Sequence, residues 1–232
     1  MELLNISGED CSRCKNKSCT LDLLSNQQFE IFSQSCQKAK FNSKEVIISP
    51  NKSQNQVIYL QSGFIKEVKK TSGQIELICR IITRDSYLAL PSLYTEKKLD
   101  TEYVAISPVI VCMIDKTVFK RLIIENGKFA FEILSKCGKE NISNYHRFLD
   151  LNHKQIYGRV ADLLIYLTDH VYNNLEFTNL LSREEMASMI NSTRESVTRA
   201  IRNFVDDGII TSRGHIIRIE KREALESISR HG

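Results

Sequence analysis

Residues 181–210 read LSREEMASMINSTRESVTRAIRNFVDDGII, and this stretch decides how the whole chain is interpreted. Ser182 is followed three residues later by Glu185, which is the spacing of a capping box that opens a helix. Apolar side chains then recur on one face of the predicted helix. They are Met186, Met189 and Ile190. This half of the stretch therefore predicts a short amphipathic helix that begins just after Ser182.

The second half of the stretch predicts another helix after a tight turn. Asn191 and Ser192 interrupt the apolar pattern, and Thr193 has a side chain suited to cap a helix. The residues that then face inward are Val197, Ala200, Ile201 and Phe204. The opposite face carries Arg194, Glu195, Thr198 and Arg199. Two short helices joined in this way, the second with a charged outer face, are typical of a helix-turn-helix that binds DNA.

A DNA-binding role is favoured by the order of the residues rather than by net charge. Arg suits a bidentate contact with guanine, and Glu can accept a hydrogen bond from the cytosine amino group. Residues 208–220 alternate around Gly214, which predicts a two-stranded wing. The alternative is a generic helical subdomain with a solvated charged face. Residues 178–232 contain nine Lys/Arg and eight Asp/Glu, so net charge does not separate the two interpretations.

Upstream of this stretch, short β-like runs give way to long helices. The predicted strands cover 57–60, 64–68, 75–82, 103–106 and 109–114. Turn signals such as Ser62-Gly63 lie between them, which is typical of an antiparallel sandwich or a small barrel. Helical periodicity follows over about 116–150, with a break near Gly127, and returns over 155–173.

The longer predicted helix, about 128–150, carries an apolar stripe with no covering element nearby in sequence. The stripe residues are Phe131, Leu134, Ile142, Tyr145 and Leu149. Such a stripe is usually part of a core, and it can also form one half of a dimer seam. The pattern alone leaves both possibilities open.

Seven cysteines stand out against this ordinary background. An odd number, in a chain without an export signal, argues against a disulfide framework. Three of the cysteines lie within nine residues, at positions 11, 14 and 19. This clustering indicates metal or redox chemistry.

The sequence resembles the Crp/Fnr superfamily of bacterial transcription regulators over nearly its whole length. The resemblance is carried by IYLQSGFIKEVKKTSGQIELICRI at 58–81, by YGRVADLLIYL at 157–167 and by the stretch 181–210. It implies an α+β fold with an N-terminal antiparallel β-roll like that of cyclic-nucleotide-binding domains, a long dimerisation helix and a C-terminal winged helix-turn-helix. The implied domains are 1–126, 127–152 and 153–232.

The resemblance also assigns roles to the helix-turn-helix residues. It implies that Arg194, Glu195 and Arg199 approach base edges, with Thr198 at a nearby contact position. Ser182 and Thr193 are expected to cap helices or contact phosphates. The implied partners are a second copy of the chain, double-stranded DNA with a palindromic site, and RNA polymerase. In the dimer the apolar stripe of the long helix would form the interface.

Two branches of the superfamily differ in the signal that they bind. The cyclic-nucleotide branch carries a Gly-Glu-Leu segment and an Arg-Ser/Thr-Ala segment around the cyclic phosphate. The corresponding stretch at 85–106 has neither, so we do not expect a cyclic nucleotide. The Fnr branch holds a [4Fe–4S] cluster on four thiolates, and the matching positions here are Cys11, Cys14, Cys19 and Cys112. The last N-terminal gap is one residue shorter than in the commonest Fnr pattern.

The chemistry of these residues agrees with a cluster but allows other occupants. Four soft thiolates suit a cubane, and the basic residues Arg13, Lys15 and Lys17 would offset its negative charge. A Cys₄ zinc site uses the same ligands. Cys112 could instead be a buried strand residue in a metal-free protein. A β-roll that binds haem or another small molecule also stays open. Cys36, Cys79 and Cys137 match no family role.

Composition excludes several further classes. The 232 residues are 42% hydrophobic and 26% charged, as in ordinary globular proteins, and the net charge of +4 is mild. The longest apolar run, 108–114, is too short to span a bilayer. The first ten residues lack the pattern of a secretory signal, so we expect a cytoplasmic protein. The sequence has no Gly-rich phosphate loop, nucleophile elbow or HExxH motif, so we do not expect an enzyme.

Overall fold

A computed structural model of the chain describes residues 2–4, 19–51, 55–71, 76–90, 95 and 100–232. The chain divides into two compact units. The first unit comprises residues 1–69 and 81–142, and the second comprises residues 70–80 and 143–232. None of the described helices combines the length and the apolar character needed to cross a membrane.

Two antiparallel sheets occupy the N-terminal half of the chain. Their strands are β1 (Glu2–Leu4), β2 (Cys36–Phe41), β3 (Val46–Ile48), β4 (Gln56–Ser62), β5 (Ile65–Lys70), β6 (Glu76–Ile82), β7 (Ser86–Leu88), β8 (Glu102–Ala105) and β9 (Val109–Asp115). One sheet has the order β1-β2-β9-β4-β7, and the other has the order β3-β8-β5-β6. The turn after β4 requires glycine, because Gly63 has a φ of +91° and an added Cβ would lie 2.4 Å from the Pro108 carbonyl oxygen.

Alternation along the strands gives the first sheet two buried faces. The inner cluster contains Ile58, Leu60, Val111 and Met113 together with apolar residues of the second sheet. The side chains between them in sequence point to the opposite face and form the outer cluster. Its sheet residues are Val57, Tyr59, Tyr87, Cys112 and Ile114. Both faces therefore need an apolar cover, which explains the unbroken apolar runs at 57–60 in β4 and at 109–114 in β9.

Helices cover the outer face. A 3₁₀ turn at Cys19–Leu23 leads into α1 (Asn26–Ser35), and α2 (Lys116–Glu125) and α3 (Gly127–His153) follow β9. The side chains that these elements contribute to the outer cluster are Leu21, Phe32, Phe119, Leu122, Phe129 and Ile133. The rings of Phe119 and Phe129 meet edge to face with their centroids 5.5 Å apart, which ties α2 to α3.

The break between α2 and α3 falls at Asn126, one residue before the predicted position. The Asn126 side-chain oxygen accepts a hydrogen bond from the Phe129 N–H at 3.0 Å. Its amide nitrogen donates to the Leu23 carbonyl and to the Gln28 side chain, both at 2.9 Å. Asn126 therefore caps α3 while anchoring the 3₁₀ turn and α1, and Gly127 is the first residue of the new helix.

The second unit contains most of the remaining helices and a small sheet. Its elements are α4 (Ile156–Tyr166), a π-helical turn (Leu167–Tyr172), β10 (Glu176–Thr178), α5 (Arg183–Met189), α6 (Arg194–Asp206), β11 (Ile210–Arg213), β12 (Ile216–Ile219) and α7 (Arg222–His231). The three strands form an antiparallel sheet in the order β10-β12-β11. Arg222 of α7 donates two hydrogen bonds to Asp169 of the π-helical turn, at 2.8 and 2.6 Å.

The predicted architecture is confirmed: antiparallel sheets, a long helix and a winged helix-turn-helix follow one another along the chain. All five predicted strands form, each within a few residues of its expected limits. The sequence analysis missed the short strands β1, β2, β3, β7 and β10 and the helix α7. The five strands are only three to six residues long, too short for a sustained apolar period, whereas α7 carries Leu225 and Ile228 at helical spacing and could have been found.

Candidate functional site

Helix α5 begins with the predicted capping box. The Ser182 hydroxyl oxygen accepts a hydrogen bond from the Glu185 N–H at 3.1 Å. In return, the Ser182 N–H donates to the Glu185 carboxylate at 2.8 Å. The buried side chains of this helix are Met186, Ala187 and Met189. Ser182 therefore has the structural role that was expected of it, and its exposed position also leaves it open to a phosphate.

The turn between α5 and α6 is held by two arginines from outside the motif. Arg159 of α4 donates to the carbonyls of Ile190 and Asn191 at 3.1 and 3.2 Å. Arg147 of α3 donates to the Met189 carbonyl at 2.8 Å, and its burial lowers the pKa of its guanidinium. Cations at a helix C-terminus satisfy carbonyls that have no partner within the helix. The two arginines thus fix where α6 starts.

Helix α6 has one buried face and one exposed face. Thr193 caps it by accepting a hydrogen bond from the Ser196 N–H at 3.2 Å. The buried side chains are Val197, Ala200, Ile201 and Phe204. The exposed side chains include all four predicted base-contacting residues: Arg194, Glu195, Thr198 and Arg199. The structure thus brings these four residues together on one solvent-facing surface.

The geometry of this surface suits the edges of bases. A helix rises about 1.5 Å per residue, so Arg194 and Arg199 are separated by about 7.5 Å along the axis, close to two base-pair steps. The Thr198 hydroxyl donates to the Arg194 carbonyl at 2.7 Å, and the Thr198 side chain is exposed. Arg202, which is also exposed, continues the stripe by one more turn. The sequence analysis missed Arg202, although its three- and four-residue spacing from Arg199 and Thr198 marks it.

The predicted wing forms beside this surface. Strands β11 and β12 pair antiparallel, with Arg213 opposite Ile216, so that Gly214 and His215 make a two-residue turn. Gly214 has a φ of +60°, the conformation that such a turn requires. Arg213 and His215 are exposed at the tip, where they could contact a phosphate.

The predicted apolar stripe of α3 is largely open to solvent. Phe131, Leu134, Ile142 and Tyr145 are 60–70% exposed, whereas Leu149 is half-buried. Phe148, which the sequence analysis missed, is 63% exposed and lies three residues after Tyr145. Large apolar side chains repeating every three or four residues on an uncovered helix are typical of a helix–helix interface.

The proposed cysteine ligands are only partly described. Cys11 and Cys14 lie outside the described residues, as does the side chain of Cys19. Cys112 lies in β9 and is 8% exposed, facing the outer cluster. Within residues 19–51, 55–71, 76–90 and 100–232, no group of three His, Cys, Asp or Glu side chains is arranged to hold a metal.

Several contacts place the start of the 3₁₀ turn on the same sheet face as Cys112. Thr20 follows Cys19 directly, and its hydroxyl is hydrogen-bonded to the Tyr87 hydroxyl at 2.7 Å. The Tyr87 ring lies 5.1 Å from that of Tyr59, which is paired with Cys112 across β4 and β9. Burial and the nearby Asp85 raise the pKa of Tyr59, so its hydroxyl stays protonated. Thr20 and Cys112 therefore lie on the same face of this sheet.

Comparison with known proteins matches both the N-terminal sheets and the helix-turn-helix to known domain families. Residues 38–126 match the cyclic nucleotide-binding domain family, and residues 158–228 match the Crp-like helix-turn-helix domain family. The anaerobic regulatory protein of Bacillus subtilis is 26% identical over 220 residues, covering 88% of each chain. The cAMP-activated global transcriptional regulator CRP of Pasteurella multocida is 21% identical over 192 residues, covering 81% of this chain and 92% of that protein.

A solved structure shows the same fold over most of the chain. FixK2 from Bradyrhizobium japonicum superposes with a TM-score of 0.76 at 17% identity, covering 83% of this chain and 96% of that one. At this identity the likeness concerns the fold alone.

Proposed function

This chain belongs to the Crp/Fnr family of DNA-binding transcription regulators, and from that premise we propose that it binds a palindromic site as a dimer under the control of a [4Fe–4S] cluster. The observation that carries the DNA-binding part is the solvent-facing row of Arg194, Glu195, Thr198 and Arg199 on α6. The observation that carries the sensing part is the buried Cys112, which shares the outer cluster with Leu21, two residues after Cys19.

Helix α6 acts as the recognition helix. Arg199 and Arg194 are long enough to make bidentate contacts with guanine, and Glu195 can accept from a cytosine amino group. Ser182 and Thr193 stand at the N-termini of α5 and α6, where backbone N–H groups favour a phosphate. This triplet of charged residues resembles the one that favours a TGTGA-like half-site, which we propose as the target.

The exposed stripe of α3 forms the dimer seam. Regulators of this family are typically dimers. Two copies of α3 would cover Phe131, Leu134, Ile142, Tyr145 and Leu149, with Phe148 added from the structure. A dimer presents two recognition helices to two half-sites, and it binds far more tightly than one helix alone. Contact with RNA polymerase, which the family resemblance implies, is part of the same proposal.

The cluster ligands are proposed to be Cys11, Cys14, Cys19 and Cys112. When bound, a [4Fe–4S] cluster supplies a group that oxygen or nitric oxide attacks. The relative from Bacillus subtilis is named as an anaerobic regulatory protein, which supports a signal of this kind. The stretch at 85–106 lacks the residues that hold a cyclic phosphate, which supports a signal other than a cyclic nucleotide.

The residues around Cys112 connect it to the dimer helix. Phe129 and Ile133 of α3 pack in the outer cluster with Cys112. They lie on the buried face of the helix, and the exposed stripe lies on its other face. The Tyr59 hydroxyl donates to Asp85 at 3.3 Å, and Lys136 of α3 donates to the same carboxylate at 2.9 Å. A change in packing at Cys112 would therefore alter the packing of Phe129 and Ile133 on the buried face of α3.

The proposal is tested by the iron content and visible spectrum of protein purified without oxygen. The parent protein is expected to bind about four iron and four sulfide per chain, as a cubane requires. Cys112→Ser should lose most of that iron. The matched control is Cys79→Ser, which changes an exposed cysteine on β6 and should leave iron unchanged.

Three results would contradict the ligand assignment or the cluster itself. Equal iron in Cys112→Ser and the parent would remove Cys112 from the ligand set. Zinc without sulfide would indicate a structural Cys₄ site. Protein with neither metal would point to a ligand, such as haem or another small molecule, in the β-roll.

A further inference from the structure

A strand outside the helix-turn-helix lies against helix α5. Residues 76–80 of β6 belong to the same compact unit as residues 143–232. In the described part of the chain β6 is the last strand of its sheet, so one of its edges has no neighbouring strand. The backbone N–H and C=O groups on such an edge need partners from elsewhere.

Ser188 of α5 supplies two of those partners at once. Its hydroxyl donates to the Glu76 carbonyl at 2.6 Å. The same oxygen accepts a hydrogen bond from the Ile78 N–H at 2.9 Å. Residues two apart in a strand direct their backbone groups to the same edge, so one hydroxyl can bridge both. Ser188 thus bridges Glu76 and Ile78 and links this part of β6 to helix α5 of the same unit.

The strand held in this way faces the start of the recognition helix. A groove of about 730 Å³ lies between the two elements. Glu76, Leu77 and Ile78 line it from the strand, and Arg194 and Glu195 line it from α6. Arg194 and Glu195, two of the proposed base-contacting residues, therefore border a groove that β6 partly encloses.

This arrangement does not suit DNA. The N-terminal turn of a recognition helix must enter a major groove about 12 Å wide, with a phosphate backbone on either side. Strand β6 occupies space beside that turn. It also brings Glu76 to a groove that already contains Glu184, Glu185 and Glu195, where carboxylates repel phosphates.

We propose that residues 76–78 of β6 are an autoinhibitory cover over the recognition helix, and that the two Ser188 hydrogen bonds must open before the helix binds DNA. The proposal rests on the assignment of α6 as the recognition helix and is independent of the cluster. The apparent affinity for DNA equals the affinity of the open form multiplied by the fraction of molecules that are open. Weakening the cover therefore strengthens DNA binding.

Ser188→Ala tests the cover directly, because it removes the bridging oxygen and adds nothing. The variant should bind a selected DNA site at least about fivefold more tightly than the parent, because losing even one typical hydrogen bond of the closed form has that effect and Ser188→Ala removes two. Ser227→Ala is the matched control, since Ser227 lies on an exposed position of α7 in the same unit. It should bind like the parent. Equal or weaker binding by Ser188→Ala would overturn the proposal.

Amide hydrogen exchange of the unmodified protein provides a second test that needs no variant. The Ile78 amide should exchange slowly in the free protein, because Ser188 protects it, and faster by at least about tenfold in the DNA complex. An Ile78 amide that stays equally protected on DNA would overturn the cover. If Ser188→Ala is neutral while Arg199→Ala still loses sequence preference, the recognition helix stands and only the cover is refuted.

Discussion

Truncating one exposed phenylalanine of α3 should separate dimerisation from folding. Phe131 is 70% exposed, although it lies only two residues from the fully buried Phe129. A phenylalanine side chain presents roughly 200 Å², so about 140 Å² of Phe131 is available to a partner. At about 25 cal/mol per Å², covering that area contributes up to about 3.5 kcal/mol per copy. Because alanine retains part of this area, Phe131→Ala should lose about 2–3 kcal/mol per copy.

The assay is sedimentation velocity over a concentration series, combined with urea unfolding. The two copies in a dimer together lose about 4–6 kcal/mol, which corresponds to a dimer dissociation constant raised by roughly a thousandfold or more. Urea unfolding of the monomer should be nearly unchanged, whereas Phe129→Ala should cost about 3–5 kcal/mol of folding stability. Ile124→Ala is the matched control, since Ile124 is 75% exposed but lies on α2. If Phe131→Ala and Ile124→Ala dimerise equally well, the stripe is not the interface.

Two further predictions concern the second unit. Arg199→Ala should lose about 1–3 kcal/mol of binding free energy on the selected DNA site and relax sequence preference. Glu195→Ala should loosen preference at a C·G pair more than it lowers overall affinity. Both predictions are refuted if the variants bind the selected site and random DNA in the same ratio as the parent. Asp169→Asn should lower the free energy of unfolding by about 1 kcal/mol or less at pH 7, because Arg222 and Asp169 are both partly exposed. Hydrogen bonds from Arg222 lower the pKa of Asp169, so this contribution is present above the ordinary aspartate pKa and is lost as the pH falls through the lowered value. Urea unfolding should show the same difference at pH 7 and pH 5 and a smaller one near pH 3, and a difference that grows on acidification would contradict the assignment.

The sequence predicted the helix-turn-helix well because its determinants are local. The capping box of Ser182 and Glu185 and the cap at Thr193 each act over three residues, and the structure contains all of these bonds. The same holds for the wing turn at Gly214. Signals of this kind depend on neighbouring residues alone, so a single sequence is enough to detect them.

Other features could not be predicted because they join distant parts of the chain. Arg159 lies 31 residues from the carbonyl that it binds at Ile190, and nothing near Arg159 in the sequence indicates that contact. Ser188 bonds to a strand 112 residues away at Glu76. The break predicted at Gly127 fell at Asn126, because its side chain finds partners at Leu23 and Gln28. Such contacts exist only once the fold has formed.

The claim that a cluster controls dimerisation and DNA binding is tested most directly on protein reconstituted with iron and sulfide in the absence of oxygen. Its DNA affinity is measured by titration, and its dimer fraction by sedimentation of the same sample, before and after brief exposure to air. Before exposure the protein should be mainly dimeric and should bind a palindromic site. After exposure the visible absorbance, the dimer fraction and the DNA affinity should fall in parallel. If the iron-loaded and iron-free forms show the same dimerisation and the same DNA affinity, the cysteine site does not control this regulator.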